Sequence, residues 1–260
     1  MKNLIEKLLK KEKIEYFGFL SLKDCRIINQ GLFERKTPFA KSIISMLIPY
    51  YVGECPNSNI SLYAMSKDYH IYIDELGKRL IAELQKVFPD ESFVCMGDHS
   101  PIAEVEAACK CGLGVAGDNN CLINDKYGSY VFIAEIFTSI ELECKPNEIK
   151  ECLHCGICTQ KCVSKDRCLS DITQQKSELD IDHIKLMREN NTAWGCDICQ
   201  KACPLNKDIE ITPIDFFKKD RIERLDLEIL DKMSDQELSK RAFGWRKRKI
   251  IERNIKILKE

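Results

Sequence analysis

The stretches ECLHCGICTQKCVSKDRC (151–168) and GCDICQKACPLN (195–206) hold eight of the fifteen cysteines in this 260-residue chain. Cys152, Cys155, Cys158 and Cys162 spell CxxCxxCxxxC, Cys168 follows, and Cys196, Cys199 and Cys203 spell CxxCxxxCP with Pro204. Three thiolates at CxxCxxC wrap one iron–sulfur cube, while the cysteine after the longer gap points toward a second cluster. The spacing therefore predicts two [4Fe-4S] clusters with crossed ligation. Cys152, Cys155, Cys158 and Cys203 are expected on the first, and Cys162, Cys168, Cys196 and Cys199 on the second. Two structural zinc sites of four cysteines each are the alternative, disfavoured because zinc ligand pairs have no need of the xxxC arm.

The other seven cysteines (Cys25, Cys55, Cys95, Cys109, Cys111, Cys121 and Cys144) are scattered through apolar or mixed surroundings, where cysteine serves as a small hydrophobe. An apolar fraction of 44% with 31% charged residues and a net charge of -1 describes a soluble globular chain and names no partner. No apolar run approaches the roughly 18 residues of a membrane span. The opening MKNLIEKLLKKEKIEYF mixes charge with helical periodicity where a signal peptide needs an unbroken apolar stretch. The expected location is the cytoplasm, away from membranes. Thiols stay reduced there, so metal binding outweighs disulfides.

The pattern upstream predicts an α+β fold in three parts: a mixed α/β domain over 1–148, a double-cluster ferredoxin-like domain over 149–208, and a short helical segment over 209–260. Residues 3–12 read as a helix, while IEYFGFLSL (14–22), KSIISMLIPYYV (41–52), SFVCM (92–96) and SYVFIAEIFTSIEL (129–142) read as strands by their branched and aromatic content. From Leu62 to Val87, apolar side chains at Tyr69, Ile73, Leu76, Leu80, Leu84 and Val87 step by three or four and predict an amphipathic helix. Ser100 and Pro101 suit the N-cap and first position of a further helix to about Cys111, which puts Asp98 in a strand-to-helix turn. Gly112, Gly114 and Gly117 match GxGxxG. Helical sequence precedes them and an Asn-rich turn follows, the reverse of the strand-then-helix context that dinucleotide binding requires.

Several segments now stand in one order: YAMSKDYH (63–70), DHSPIAEVEAACKCGLGVAGDNNCLIN (98–124), YGSYVFIAEIF (127–137), the cysteine module with RCLSDIT (167–173), and FGWRKRKIIERNIKIL (243–258). Together they resemble the epoxyqueuosine reductases, cobalamin-dependent iron–sulfur enzymes of queuosine tRNA modification. The resemblance implies a cobalamin in the N-terminal unit, a double-cluster domain feeding it electrons, and an epoxide substrate at the wobble base of a queuosine-type tRNA. It places Asp98 at the family's proton-donor aspartate. A desolvated carboxyl there would hold its proton near neutral pH; the bland reading is a turn aspartate capping backbone N–H groups. It also implies cofactor contacts from Tyr63, Tyr69, His70, Asn119, Gly128, Ser129, Ser170 and Asp197. His70 is not read as the cobalt ligand, since a lone histidine on an apolar helix is more often a packed, hydrogen-bonded residue. An external donor such as a flavodoxin or ferredoxin, and a monomeric state, complete the picture.

Departures from the family pattern stand at Val115, where a tryptophan is usual, at Asp118, where a lysine is usual, and at Val163, where a proline is usual. A carboxylate at 118 would repel a nearby phosphate. From Lys240 to Glu260 the chain carries nine lysines and arginines against two glutamates, with Trp245 among them, a composition suited to a phosphate backbone. The same residues also describe a solvated helix face whose apolar side uses Ile250, Ile251, Ile255 and Leu258. Two other functions fit the sequence: a related cobalamin-dependent reductase of another substrate, and a non-catalytic double-cluster electron carrier.

Overall fold

The computed structural model describes residues 2–259, and the chain divides into two compact units that interleave along the sequence. One comprises the segment up to Tyr50 with Tyr72–Cys155 and Leu205–Ile214; the other comprises Tyr51–Ile71, Gly156–Pro204 and the chain from Asp215 onward. The borders read from the sequence at 148 and 208 cut across this division.

The first unit is built on β1 (Phe17–Ser21), β2 (Ser42–Pro49), β3 (Phe93–Gly97) and β6 (Val131–Thr138) in the order β1-β2-β6-β3, every neighbouring pair antiparallel. Two short strands, β4 (Val115–Ala116) and β5 (Leu122–Ile123), pair separately. Every residue of β2 is buried, as expected of a central strand with an unbroken apolar run. The helices are α1 (Lys2–Lys11), α2 (Gln30–Lys36), α3 (Tyr69–Val87) and α4 (Glu104–Lys110).

Register assigns the faces. Gly18, Ser45, Glu135 and Met96 form one rung across the sheet, and Leu20, Ile43, Phe137 and Val94 another two positions along. Cross-strand partners share a face, so Glu135 lies on the same side as Leu20, Ile43 and Phe137, which pack against Ile102 and the α4 residue Ala107. The opposite face receives α3. A Cβ added at Gly77 of this helix would stand 2.5 Å from the Cys95 Cβ, so the close approach to β3 requires glycine.

Three local expectations need correction. The predicted Leu62–Val87 helix begins at Tyr69, because Leu62–Ala64 form a separate 3-10 turn. Val87 is 53% exposed, so the buried stripe ends at Leu84 as the helix runs out into solvent. Ser100 does not cap α4, whose N-cap is Ala103. The backbone at 101–103 is instead held extended: Ile28 N–H and Asn29 N–H donate to Pro101 O, and Ala103 N–H donates to Arg26 O.

The second unit is helical, with α5 (Ile157–Lys161), α6 (Leu169–Thr173), α7 (Ile181–Glu189), α8 (Ile198–Ala202), α9 (Leu227–Lys232), α10 (Asp235–Leu238) and α11 (Arg248–Lys259). Helices as short as α5 and α8 are not self-supporting; these two pack on each other, and α11 packs on α7 and α9. At its centre the fully buried Trp194 donates its indole N–H to the Tyr63 hydroxyl at 3.0 Å. No helix among the described residues is long and apolar enough to cross a membrane.

Candidate active site

In the first unit, β3 ends at Gly97 and the chain turns sharply through Asp98, which has φ of 61°. Aspartate tolerates this left-handed conformation better than most residues because its short side chain can satisfy local backbone groups. The Asp98 side chain is exposed. This corrects the expectation of a desolvated carboxyl: nearby, Glu135 is the buried carboxyl and Glu104 is half-buried. Glu104, in the first turn of α4, is pushed up to about 7, first by burial and then by the Asp98 charge, while a hydrogen bond from the Asp98 backbone N–H opposes the rise. Its Oε1 has no partner. Glu135 is fully buried, and neither of its oxygens has a hydrogen-bond partner. Burial, then the Glu104 charge, raise it well above the carboxylate range, with the nearby Ser100 hydroxyl offsetting a part. The Ser45 and Ser100 hydroxyls are likewise buried without partners.

The glycine segment forms the β4–β5 hairpin, which settles the GxGxxG pattern as turn geometry. A Cβ at Gly114 would meet Ile123 O at 2.5 Å. In the turn, Asn119 accepts from Cys121 N–H through Oδ1, while its Nδ2 is buried with no acceptor. Asp118 hydrogen-bonds His154 Nδ1 at 2.8 Å, and His154 Nε2 lies 2.9 Å from Glu151. Those two carboxylates raise the imidazole above its ordinary range. The charge reversal at Asp118 is therefore answered within the unit by a histidine. The ligand atoms of Asp118, His154 and Cys152 all lie within 4.8 Å of one another. Further along, Gly128 has φ of 57°, and Ser129 exchanges hydrogen bonds with Asn206: the Ser129 N–H donates to Asn206 Oδ1 at 2.7 Å and Asn206 Nδ2 donates to Ser129 Oγ at 2.8 Å.

In the second unit, α8 carries Cys199 between the flanking Cys196 and Cys203. Burial pushes the Cys196 thiol up to about 12, with smaller contributions from the charges of Asp197, Cys168 and Cys199. Three of the four thiols assigned to the second cluster thus share one electrostatic neighbourhood. Cys162 Sγ is directed at Ser164 O, 3.0 Å away. No disulfide joins any of the fifteen cysteines. Asp197 is buried, with one oxygen accepting from the Ser61 hydroxyl and the other from Leu62 N–H at 2.8 Å, so both serve to anchor the segment around Tyr63. Tyr63 meets Tyr69 edge to face at 6.4 Å, and Tyr69 stacks on His70 at 4.2 Å. His70 is exposed and its Nδ1 is 2.8 Å from Asp68 Oδ1. Ser170 Oγ lies 3.4 Å from Gln174 Nε2. Tyr63, Tyr69, His70 and Asp197 therefore come together in this unit, as Asp98, Asn119, Gly128 and Ser129 belong to the other.

Residues 33–98 match the family model described as epoxyqueuosine reductase QueG, DUF1730. The epoxyqueuosine reductase of Leadbetterella byssophila is 34% identical over 179 residues, an alignment covering 64% of this chain and 59% of the relative. The structure of epoxyqueuosine reductase from Streptococcus thermophilus superposes with a TM-score of 0.81 at 25% identity, over 99% of this chain and 80% of that one. The chain is similar in sequence to epoxyqueuosine reductases and shares their fold. An epoxyqueuosine reductase solved with an epoxyqueuosine-modified tRNA-Tyr stem loop shares the fold at a TM-score of 0.79, 24% identity and 99% coverage of this chain, with 81% of that chain covered. The match to the Leadbetterella byssophila relative spans less than two thirds of that protein's length.

Against this family background, Glu104 and Glu135 are the residues that sequence reasoning passed over. A signal existed for Glu135: in FIAEIFT (132–138) an acidic residue interrupts an otherwise apolar strand, and a charge on a buried strand needs a reason. Glu104 gave none, since a glutamate in the first turn of a helix is ordinary.

Proposed function

We propose that this chain reduces epoxyqueuosine to queuosine at the wobble position of tRNA, acting as a cytoplasmic monomer supplied with electrons by a flavodoxin or ferredoxin. The observation that carries the reading is the Asp98 turn, an exposed carboxyl held at positive φ where β3 gives way to α4, backed by the half-buried Glu104 and the buried Glu135. The relative solved with an epoxyqueuosine-modified stem loop supports the choice of substrate.

The donor sets suit the groups this chemistry needs. Eight reduced thiols at ferredoxin spacing match two [4Fe-4S] clusters, on Cys152, Cys155, Cys158 and Cys203 and on Cys162, Cys168, Cys196 and Cys199. The neighbourhood of Cys168, Cys196 and Cys199 supports the second of these sets. For cobalamin, the buried and unpartnered Asn119 Nδ2 fits an acceptor on a bound corrin amide or phosphate. Tyr63, Tyr69, His70, Gly128, Ser129 and Ser170 are the further contacts proposed, with Asp197 shaping the Tyr63 segment instead of touching the cofactor. When bound, the cobalamin supplies low-valent reducing chemistry and the clusters supply its electrons.

Removing the epoxide oxygen as water consumes a pair of electrons and a pair of protons. In this reading Asp98 gives a proton to that leaving oxygen, and its exposure lets solvent re-protonate it between turnovers. The basic residues beyond Lys240, with the Arg246 guanidinium 3.7 Å over the exposed Trp245 ring, would grip the tRNA backbone and stack a base.

The test is nucleoside mass spectrometry on epoxyqueuosine-containing tRNA after anaerobic incubation with reconstituted protein, cobalamin and a strong chemical reductant. Loss of one oxygen mass is expected. No change with clusters and cobalamin both bound would move the chemistry to another substrate, and no change with cobalamin unbound would leave an electron carrier.

A further inference from the structure

We propose that Asp118, His154 and Cys152 form a mononuclear site for a divalent transition metal, zinc or ferrous iron, which fills when Cys152 is not engaged in a cluster and so competes with cluster loading. The site goes beyond the reductase reading, since it needs these side chains and nothing of the substrate.

Backbone pairing brings the donors together. Ala116 of β4 donates its N–H to Lys150 O and accepts from Cys152 N–H, both at 3.0 Å, so residues 150–152 run parallel to β4 as an added strand. Asp118 follows β4 in a turn closed by the Gly117 N–H, which donates to Cys121 O at 2.9 Å. Because the pairing is parallel, both chains leave it at the same end, and Asp118 comes beside the segment that carries Cys152 and His154. His154 then turns at φ of 47°. All of these residues belong to the first unit.

The side chains converge in the same way. His154 Nδ1 is 2.8 Å from Asp118 Oδ1, and the ligand atoms of Asp118, His154 and Cys152 all lie within 4.8 Å of one another. Zinc takes nitrogen and oxygen at about 2.0–2.2 Å and sulfur at about 2.3 Å, which sets neighbouring ligands on one tetrahedral ion roughly 3.3–3.7 Å apart. Side-chain rotation covers the difference, and the Asp118 and His154 side chains, 33% and 55% exposed, are free to make it.

The far ring nitrogen supplies a second observation. His154 Nε2 lies 2.9 Å from Glu151 Oε2. A carboxylate on that side holds the proton on Nε2 and turns the Nδ1 lone pair toward Asp118 and Cys152, which is how ligating histidines are oriented. Stability does not account for the arrangement, because exposed ion pairs contribute little to it.

The donor set selects the ion. Nitrogen, oxygen and sulfur together suit zinc or ferrous iron, whereas magnesium and calcium take oxygen ligands. Water completes the coordination. Binding displaces the Cys152 thiol proton and any proton on His154 Nδ1, and both leave to solvent. The same sulfur is expected on the first cluster, so the two occupancies exclude each other.

The experiment loads the reduced, cluster-free full chain anaerobically with equimolar zinc, reconstitutes it with iron and sulfide, and counts metals per chain. Wild type should keep its zinc and fall from about eight iron atoms to about four, the content of a single cube. His154→Ala and Asp118→Asn should bind zinc at least about tenfold more weakly and return to full iron. Reconstitution of both variants without zinc shows that they fold. X-ray absorption at the zinc edge of the wild type needs no variant, and should find a single sulfur among nitrogen and oxygen neighbours. Zinc surrounded by sulfur alone, or iron loss that persists in His154→Ala, would overturn the site and put zinc on the cluster thiols. Full iron loading with zinc retained would separate Cys152 from the first cluster and overturn the competition. Turnover is no part of the readout, so absent reductase activity would leave the metal site standing.

Discussion

At the scale of single residues, the chemistry and the cost of the site fall on different carboxyls. Asp98 is exposed and is the proposed donor, so Asp98→Asn should lower kcat by about 10²–10⁴-fold with little change in KM, as measured by steady-state loss of epoxyqueuosine. A drop confined to KM would show that Asp98 binds substrate and does not donate. Glu104 carries the cost. Its folded value near 7 lies above the ordinary 4.5, so the native state holds a proton that the unfolded chain releases between those two values. Stability from this group is therefore complete below about pH 4.5 and falls as pH rises to about 7, by up to about 3 kcal/mol. Glu104→Gln should accordingly unfold at higher urea than wild type at pH 8 and at the same urea at pH 4; an equal shift at both would refute the titration. Sequence put Asp98 in a strand-to-helix turn because β3 was written locally, while its role came from the family resemblance. It did not reveal Glu104 or Glu135, because burial of a carboxyl depends on which strands and helices close over it.

At the scale of elements, the sequence was most legible where one face is apolar and least legible where backbone pairing competes with helix. The β2 and β6 strands and the α3 stripe from Tyr69 to Leu84 lie where their patterns put them. The start of α4 does not, since pairing of residues 101–103 with the Arg26–Asn29 segment is a long-range choice that no N-cap signal encodes. Helix α11 shows the mixed case. Its Ile250, Ile251 and Ile255 are buried as the periodicity requires, yet Asn254 is buried among them. Its Nδ2 donates to Thr173 O at 2.7 Å and to Ala193 O at 2.8 Å, tying α11 to the ends of two cysteine-bearing segments. Asn254→Leu strands both carbonyls in an apolar setting and should cost roughly 2–4 kcal/mol, read as a lower urea midpoint. A neutral result would mean that water replaces the amide.

At the scale of the whole molecule, the division into two interleaved units was not legible, because Tyr51–Ile71 reads as a continuation of the α/β pattern and only the fold shows Ser61 N–H bonded to Trp194 O. The cysteine spacing was legible, and of the ligand sets read from it the structure brings Cys168, Cys196 and Cys199 into one neighbourhood. Charge lies between these cases. A net charge of -1 conceals the basic end of the chain, and the structure sorts that end. Arg248 is committed to Asp235 and to the Leu230 and Met233 carbonyls, and Lys256 pairs with Glu252, so these cations hold the fold. Lys247 and Lys249 are exposed beside Trp245. If this end contacts tRNA, Lys247→Gln and Lys249→Gln should weaken binding similarly for cognate and non-cognate tRNA, and each should reduce the slope of log K against log salt by about 1. Arg248→Gln should instead lower stability, because its contacts are internal. Fluorescence anisotropy with a labelled anticodon stem loop, titrated at several salt concentrations, separates the two classes. An unchanged slope in both lysine variants would assign the basic face to solvent and leave tRNA recognition to other parts of the surface.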